Sequence, residues 1–224
     1  MYVLTTDQVA SRTGPDAVDD VIALLRGTVK ATRAPVRTVG DEVQLVVSRA
    51  ADALAVVLAL ARTGGWSTGL GIGAVERPMP RTVRAARGPA FIAAREAVEA
   101  AKKRPTRFAV RVPGAPANTG TDLQALVDLL LTLRARRSPE GWEVHDLLAQ
   151  GLTQREVAAR LGISAQAVND RVRVAELALD DAARPALVRL LAAADALADP
   201  ATDPATDPTS ENAAGRPARQ GTPA

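Results

Sequence analysis

The sequence predicts an α+β fold, in which a ferredoxin-like βαββαβ domain precedes an all-α domain and a disordered tail. Three observations predict it: β-branched runs alternate with helical periodicity up to residue 112, two prolines and two glycines interrupt the chain at 113–120, and only helical periodicity follows. The tail repeats Ala-Thr-Asp-Pro and has little apolar content beyond alanine. We therefore divide the chain into an α+β domain at 1–112, a linker at 113–120, a helical domain at 121–198 and a disordered tail at 199–224.

The elements of the first domain alternate along the chain. Apolar and β-branched runs predict strands at 2–6, 36–39, 43–47, 66–75 and 107–112. Apolar residues at helical spacing predict helices at 15–26, 49–62 and 88–103. Gly40-Asp41 is a hairpin signal between the second and third strands. In a ferredoxin-like sheet the third strand lies antiparallel beside the first, so the end of one meets the start of the other.

Composition and charge exclude several function classes. The chain has no cysteine, which excludes disulfides, zinc fingers and cysteine nucleophiles, and His145 is the single histidine. Aromatic residues make up only 2%, too few for a stacking platform that binds single-stranded nucleic acid. The first residues have neither the basic nor the apolar region of a signal peptide, and no apolar run is long enough to span a membrane. We expect a cytoplasmic protein with no membrane partner.

Two carboxylates are predicted to converge at one edge of the sheet. Asp7 follows the first strand and Asp41 lies in the hairpin that leads into the third strand. Mg²⁺ prefers one or two carboxylates together with water and phosphate oxygens, so this pair is a candidate metal site. The alternative is that Asp7 caps a turn or helix and that Asp41 serves the hairpin turn itself.

The order of these motifs resembles class III nucleotide cyclases and GGDEF-type diguanylate cyclases. The matching features are Asp7, the hairpin Gly40-Asp41-Glu42, the strand Gly69-Leu70-Gly71-Ile72-Gly73 and the helix that begins Gly88-Pro89. The resemblance implies that Asp7 and Asp41 are metal ligands and that Arg95 binds the phosphates of a nucleotide. Taken whole, residues 1–180 resemble the SatD-like family, which joins a cyclase-like first half to a helix-turn-helix second half.

The sequence departs from the cyclase pattern at two positions. Phe91 stands where the cyclases have the asparagine that orients the ribose, and a single glycine precedes Asp41. We therefore expect a domain that binds a nucleotide or dimerises without turnover, while an active metal-dependent cyclase is the alternative. The alternating glycines also have a simpler explanation, because they allow a helix to pack closely on the strand.

The second domain contains a helix-turn-helix signature. After predicted helices at 121–136 and from Ser138, Thr153 and Glu156 have the spacing of a capping box. Gly162 is placed to end that helix, Ile163 to fill the core and Ser164 to cap the next helix. The segment resembles the LuxR-type and sigma-factor region 4 versions, which implies binding to double-stranded DNA. An αα-hairpin without a DNA role is the alternative.

If Val168 and Val172 face the core, polar side chains occupy the outward face of the second helix. Glutamine and asparagine can read adenine and arginine can read guanine, while other polar groups contact phosphates. The predicted DNA-binding residues are Gln154, Arg155, Ser164, Gln166, Asn169, Asp170, Arg171 and Arg173. We place Gln154, Arg155 and Arg171 at phosphates and expect Asp170 to need an arginine or cytosine partner.

The charge distribution bears on how such a motif binds. Residues 142–175 carry four basic and four acidic residues, so one copy binds DNA weakly. A homodimer, or help from the stretch 77–111 with its net charge of +8, remedies this. That stretch could equally be a solvated helix face. The chain is thus predicted to be a DNA-binding transcriptional regulator, with a nucleotidyl cyclase or a partner-binding protein as alternatives.

Overall fold

A computed structural model describes residues 1–9 and 14–198. The predicted tail at 199–224 lies outside the described residues. The strands are β1 (Tyr2–Gln8), β2 (Arg33–Arg37), β3 (Glu42–Val47), β4 (Trp66–Ile72) and β5 (Phe108–Arg111). The helices are α1 (Val18–Thr28), α2 (Ala50–Thr63), α3 (Pro89–Ala101), α4 (Ala117–Ala135), α5 (Pro139–Ala149), α6 (Gln154–Leu161), α7 (Ala165–Val174) and α8 (Leu177–Leu197), with a short 3-10 turn at Val83–Ala85.

The five strands form one mixed sheet in the order β2-β3-β1-β4-β5. The pairs β2–β3, β3–β1 and β1–β4 are antiparallel, whereas β5 is parallel to β4. The predicted pairing of the first and third strands is confirmed, since Tyr2 lies opposite Val47 and Asp7 opposite Glu42. The C-terminal end of β1 therefore meets the start of β3 and the hairpin before it.

Successive side chains of β1 point to opposite faces of the sheet and pack in different cores. Tyr2 and Leu4 belong to the main hydrophobic core, which also contains buried side chains of α1, α2, α4 and α8. Val3 points to the other face and packs with Ala90 and Ala94 of α3. Four helices thus cover one face of the sheet and α3 covers part of the other.

The glycines of β4 explain how α3 approaches the sheet. A Cβ atom on Gly69 would lie 2.2 Å from the backbone nitrogen of Val98, and one on Gly71 would lie 2.1 Å from the carbonyl oxygen of Ala90. Close helix packing therefore accounts for both residues. Gly73 differs, because it follows the end of β4 at a φ of 151° and a Cβ there would meet nothing closer than 3.7 Å.

Helices beyond the predicted linker complete the core of the sheet. The segment predicted as a linker at 113–120 is helical from Ala117, where α4 begins four residues earlier than predicted. Buried leucines and a valine of α4 join the main core, as do Leu187, Leu191 and Ala194 of α8. The α+β part and the helical part are therefore packed together through these two helices.

Helix α8 has no counterpart among the predicted elements. It runs for 21 residues and contains Pro185, a residue that usually ends a helix. Within the described ranges, no helix is both long and apolar enough to cross a bilayer.

Candidate nucleic-acid interface

Helices α5, α6 and α7 surround a second, smaller hydrophobic core. Val144 of α5, Val157 of α6 and Val168 of α7 are each fully buried in it. Ala158 lies among them, and its small side chain lets α6 and α7 pack closely. Leu161, Ile163 and Val172 are partly buried against the same core. The predicted inward positions of Ile163, Val168 and Val172 are therefore confirmed.

The turn of the motif has the predicted caps. The Thr153 backbone N–H donates to Glu156 at 2.7 Å, and the Glu156 N–H donates to the Thr153 hydroxyl at 3.3 Å, which completes the capping box. Gly162 has φ 66° and ψ 30°, a left-handed conformation that glycine adopts without strain. The Ser164 hydroxyl accepts a hydrogen bond from the N–H of Ala167 at 3.1 Å. Both helix starts and the connecting turn are thus fixed by local hydrogen bonds.

The outward face of α7 is open to solvent. Five of the predicted DNA-binding residues lie on or beside this face, and their side chains are exposed or half-buried. They are Gln166, Asn169, Asp170, Arg171 and Arg173. Gln154 and Arg155 are exposed at the start of α6, and exposed Ser164 caps α7. All eight predicted residues therefore lie in one helix-turn-helix, and their contact with DNA stays a prediction.

The acidic residue on this face has partners within its own helix. Asp170 accepts hydrogen bonds from Gln166 and from Arg173, both at 3.4 Å. Arg171 pairs with Glu143 of α5 at 3.3 Å. These contacts reduce the repulsion that Asp170 exerts on a phosphate. The contact between Arg173 and Asp170 is long and therefore weak, so Arg173 can exchange it for another acceptor.

A cluster of arginines around Trp142 joins this unit to the rest of the chain. The guanidinium carbons of Arg62, Arg137 and Arg134 lie 4.2, 4.4 and 4.9 Å from the Trp142 ring centroid. Arg62 of α2 also forms a bidentate pair with Asp146 of α5, with both N···O distances at 2.6 Å. This pair lowers the pKa of Asp146 to about 2, with a smaller contribution from His145.

Sequence reasoning missed the buried carboxylate Asp180. It is 1% exposed and lies 2.5 Å from Arg134 and 2.9 Å from Arg137. Because α8 was not predicted, nothing in the sequence indicates that Asp180 is buried or paired with arginines. His145 packs edge-on against Trp142, and burial, together with the nearby Arg137 and Arg134, lowers its pKa although Asp146 opposes the change.

The two carboxylates of the candidate metal site lie on the α3 side of the sheet. Asp7 and Asp41 are close enough for hydrogen bonding between their carboxyl groups to raise the pKa of Asp7. Lys102, just after α3, lies 2.5 Å from Asp7 and 2.7 Å from Glu99. The lysine was not predicted here, because its position depends on how α3 lies across the sheet. We call this group of Asp7, Asp41 and Lys102 the carboxylate cleft.

The titration of the carboxylate cleft follows from burial and charge. Burial has the largest effect and raises the pKa of Asp7; Lys102 lowers it and Asp41 raises it again, so that the pKa lies above its usual value. Burial lowers the pKa of Lys102, but hydrogen bonds to Asp7 and Glu99 outweigh it and the pKa is raised. The lysine therefore compensates part of the carboxylate repulsion.

The donor set of the cleft suits a cation only in part. In residues 1–9 and 14–198, no group of three or more histidine, aspartate or glutamate side chains is arranged to hold a metal ion. Two carboxylates satisfy Mg²⁺ only when phosphate oxygens and water supply the other ligands. The cleft thus fits a metal that arrives with a phosphate ligand better than a metal held by protein alone.

The helix above the cleft carries the other two residues of the cyclase comparison. Phe91 is partly buried against the small hydrophobic cluster that contains Val3 and Val46, and it offers no polar group. Arg95, one turn further along α3, is exposed and forms no ion pair with any residue that the structure describes. Arg95 and Lys102 are spaced seven residues apart, so they lie on the same side of the helix.

Comparison with known proteins assigns the helix-turn-helix. Residues 148–177 match the winged helix-turn-helix DNA-binding family. The matched segment contains α6 and α7, and within the described residues every strand precedes it, so the match covers the helices and no wing hairpin. A crystal structure of a regulator of polyketide synthase expression from Bifidobacterium adolescentis is similar over 86% of this chain and 78% of that chain, at 15% identity and a TM-score of 0.24. A TM-score that low does not establish a shared fold. The chain matches none of the curated protein sequences.

Proposed function

We propose that the protein is a DNA-binding transcriptional regulator that reads double-stranded DNA with α7. The observation that carries the proposal is the complete helix-turn-helix geometry: a capped α6, a left-handed Gly162, a capped α7 and an exposed polar face on α7. The match of residues 148–177 to a DNA-binding family supports it. In such motifs the second helix enters the major groove and its exposed side chains contact base edges.

We propose further that the α+β part is a ferredoxin-like, cyclase-type domain that serves as a sensor or dimerisation unit. The order β2-β3-β1-β4 with antiparallel neighbours supports the first part of this proposal, and the parallel β5 is an addition to it. Dimerisation supplies a second recognition helix, which compensates for the balanced charge of residues 142–175.

Selection of sites from a random duplex library tests the DNA proposal. We expect an enriched sequence with two half-sites about one helical turn apart, bound by the purified full chain. The affinity for that site is then measured by fluorescence anisotropy at several salt concentrations, since phosphate contacts make it fall as salt rises. A library that yields no enriched sequence, together with a Kd that is the same for all duplexes, contradicts the proposal.

A second candidate function is nucleotide binding at the carboxylate cleft, favoured by the proximity of Asp7, Asp41 and Lys102. A divalent cation would neutralise the carboxylates and bridge them to the phosphates of the ligand. We propose that Arg95, exposed on the side of α3 that also carries Lys102, contacts those phosphates. Phe91 offers no group to hold a ribose, so we propose binding without cyclic product and keep the active cyclase as the alternative.

Calorimetry with a non-hydrolysable ATP or GTP analogue and Mg²⁺ tests this second candidate. We expect Mg²⁺-dependent binding that Asp7→Asn or Asp41→Asn abolishes while the Tm stays near that of wild type. Asp52→Asn, a carboxylate on the first turn of α2, is the matched control. Incubation with ATP or GTP and Mn²⁺, followed by mass spectrometry, decides the alternative: a cyclic nucleotide that disappears in Asp41→Asn makes the enzyme interpretation correct.

A further inference from the structure

A groove of about 470 Å³ lies where the sheet-covering helices meet the helix-turn-helix. Its apolar side is formed by Leu24 of α1 and by Ala55, Leu58 and Ala59 of α2. Leu24 is 36% exposed, a large apolar side chain left open at the rim. The groove lies on the α2 side of the sheet, opposite the α3 side where the carboxylate cleft is found. The two sites are therefore separate.

The remaining side of the groove is cationic. Arg62, Arg134 and Arg184 line it together with His145 and Thr63, and no carboxylate is among the described residues that line it. The acidic partners of these arginines bind them from outside the groove: Asp146 on Arg62, and Asp180 on Arg134. The groove thus combines apolar side chains with three guanidinium groups, and burial lowers the pKa of His145 beside them.

The positive charge beside the groove is not fully compensated. Arg134, Arg137 and Arg184 all approach the single buried carboxylate of Asp180, at 2.5, 2.9 and 3.4 Å. Among the described residues, the Nη1 atom of Arg137 is buried without a hydrogen-bond partner, while the Nε atom of Arg184 faces the equally unpartnered Oδ1 atom of Asp180 at 3.4 Å. Including Arg62, four arginines share three carboxylates, which are those of Asp146, Asp180 and Asp181.

We propose that this groove binds a small organic monocarboxylate whose body is apolar. One added negative charge balances the four arginines, and a carboxylate accepts paired hydrogen bonds from a guanidinium fork. The apolar wall of α2 then covers the body of the ligand and removes it from water. A nucleotide matches this site less well, because the apolar side chains of Leu24, Ala55 and Leu58 would cover a polar sugar.

The position of the groove connects the ligand to the helix-turn-helix. Arg62 lines the groove and at the same time holds α5 through Asp146 and Trp142. A bound carboxylate competes with Asp146 for Arg62 and so loosens the attachment of α5 to α2. This second step rests on the proposed DNA-binding function, whereas ligand binding itself does not.

Calorimetry on the full chain with octanoate, octanamide and inorganic phosphate tests the site. We expect octanoate to bind and to raise the Tm, octanamide to bind at least about tenfold more weakly because it lacks the charge, and phosphate to give no heat. Equal binding of octanoate and octanamide, tighter binding of phosphate, or no octanoate signal at millimolar concentration overturns the proposal.

Two variants locate the binding. Arg184→Gln, a half-exposed position, should weaken octanoate about three- to tenfold, while Arg189→Gln on the same helix but outside the groove should leave it unchanged. Ala59→Leu fills the groove and should abolish binding with the fold intact by circular dichroism. Unchanged octanoate binding in both Arg184→Gln and Ala59→Leu places the ligand elsewhere and overturns the proposal.

A duplex-binding titration with and without octanoate separates the two proposals. If octanoate binds in the groove and no duplex binds specifically, the DNA proposal fails and the carboxylate site stands. If a specific duplex binds and octanoate leaves its Kd unchanged although the groove is filled, the coupling through Arg62 is refuted. A shift of at least about threefold in the Kd, lost in Arg184→Gln, supports both steps.

Discussion

At the scale of single residues, the polar face of α7 carries the proposed sequence recognition. Asn169 and Arg173 are exposed, and the one ion pair of Arg173 with a described residue is a 3.4 Å contact with Asp170. A bidentate contact from either side chain to a base discriminates by about 1–3 kcal/mol. We expect Asn169→Ala and Arg173→Ala each to lose that amount on the selected site and much less on unrelated DNA, as measured by anisotropy. If both variants bind their best site like wild type, α7 is not the recognition helix.

The bidentate pair of Arg62 and Asp146 makes a residue-scale prediction about pH. The folded pKa of Asp146 is about 2, below its unfolded value, so its contribution to stability is present above pH ~4 and is lost as the pH falls through about 2. Both side chains are 39% exposed, which limits the contribution to about 0.2–1 kcal/mol. Urea unfolding of wild type and Asp146→Asn should therefore differ at pH 7 and converge near pH 2.

A double-mutant cycle supplies the control for this pair. Arg62→Gln and Asp146→Asn should each remove the ion pair, and the double variant should lose little beyond Arg62→Gln alone. Because Arg62 also packs on Trp142, a larger loss in Arg62→Gln at pH 2 than in Asp146→Asn measures that second contact. A difference between wild type and Asp146→Asn that grows towards low pH contradicts the assigned sign.

The titration of Asp7 has the opposite sign. Its folded pKa is raised, so its favourable contribution is complete below the unfolded pKa and disappears as the pH rises through the folded value. Above the folded pKa the ionised carboxylate therefore does not stabilise the fold, and Asp7→Asn should leave the free energy of unfolding there unchanged or slightly higher. Carboxyl NMR titration should show the Asp7 pKa falling in Asp41→Asn. An Asp7 pKa below its usual value in wild type would contradict the cleft geometry.

At the scale of elements, the contact of β4 with α3 depends on the absence of side chains. A Cβ at Gly71 would meet the α3 backbone at 2.1 and 2.5 Å, and a backbone cannot move aside as a flexible side chain can. We expect Gly71→Ala to lose about 1–3 kcal/mol in urea unfolding. Gly27→Ala is the matched control, because Gly27 lies in α1 with no atom near its virtual Cβ, and it should gain up to about 1 kcal/mol.

Some elements and contacts can be predicted from the sequence and others cannot. The strand pairing of β1 with β3 and the caps of α6 and α7 were predicted because each depends on local patterns and short spacings. Helix α8 was not, since Pro185 interrupts the helical pattern. The contacts of Lys102 with Asp7 and of Arg62 with Asp146 join residues 95 and 84 positions apart, so they depend on tertiary packing that spacing does not encode.

At the scale of the whole molecule, the balanced charge of the recognition unit predicts assembly. Two copies of α7 on one duplex provide the phosphate contacts that a single copy of residues 142–175 lacks. We expect a homodimer at micromolar concentration by sedimentation velocity, with two protomers per selected site. A monomer at high protein concentration that binds the site with unchanged affinity would count against this expectation.

Helix α8 also has a consequence for how the protein is made. Its first residue, Leu177, belongs to the core of the helix-turn-helix, while Leu187, Leu191 and Ala194, up to about 26 Å further along, complete the core under the sheet. During synthesis the sheet strands leave the ribosome first, but their core lacks its last contributors until residue 194 has emerged. The α+β part therefore cannot finish folding before the helix-turn-helix has been translated. A nascent chain arrested after residue 176 should leave Tyr2 accessible to proteases, whereas one arrested with α8 outside the tunnel should protect it.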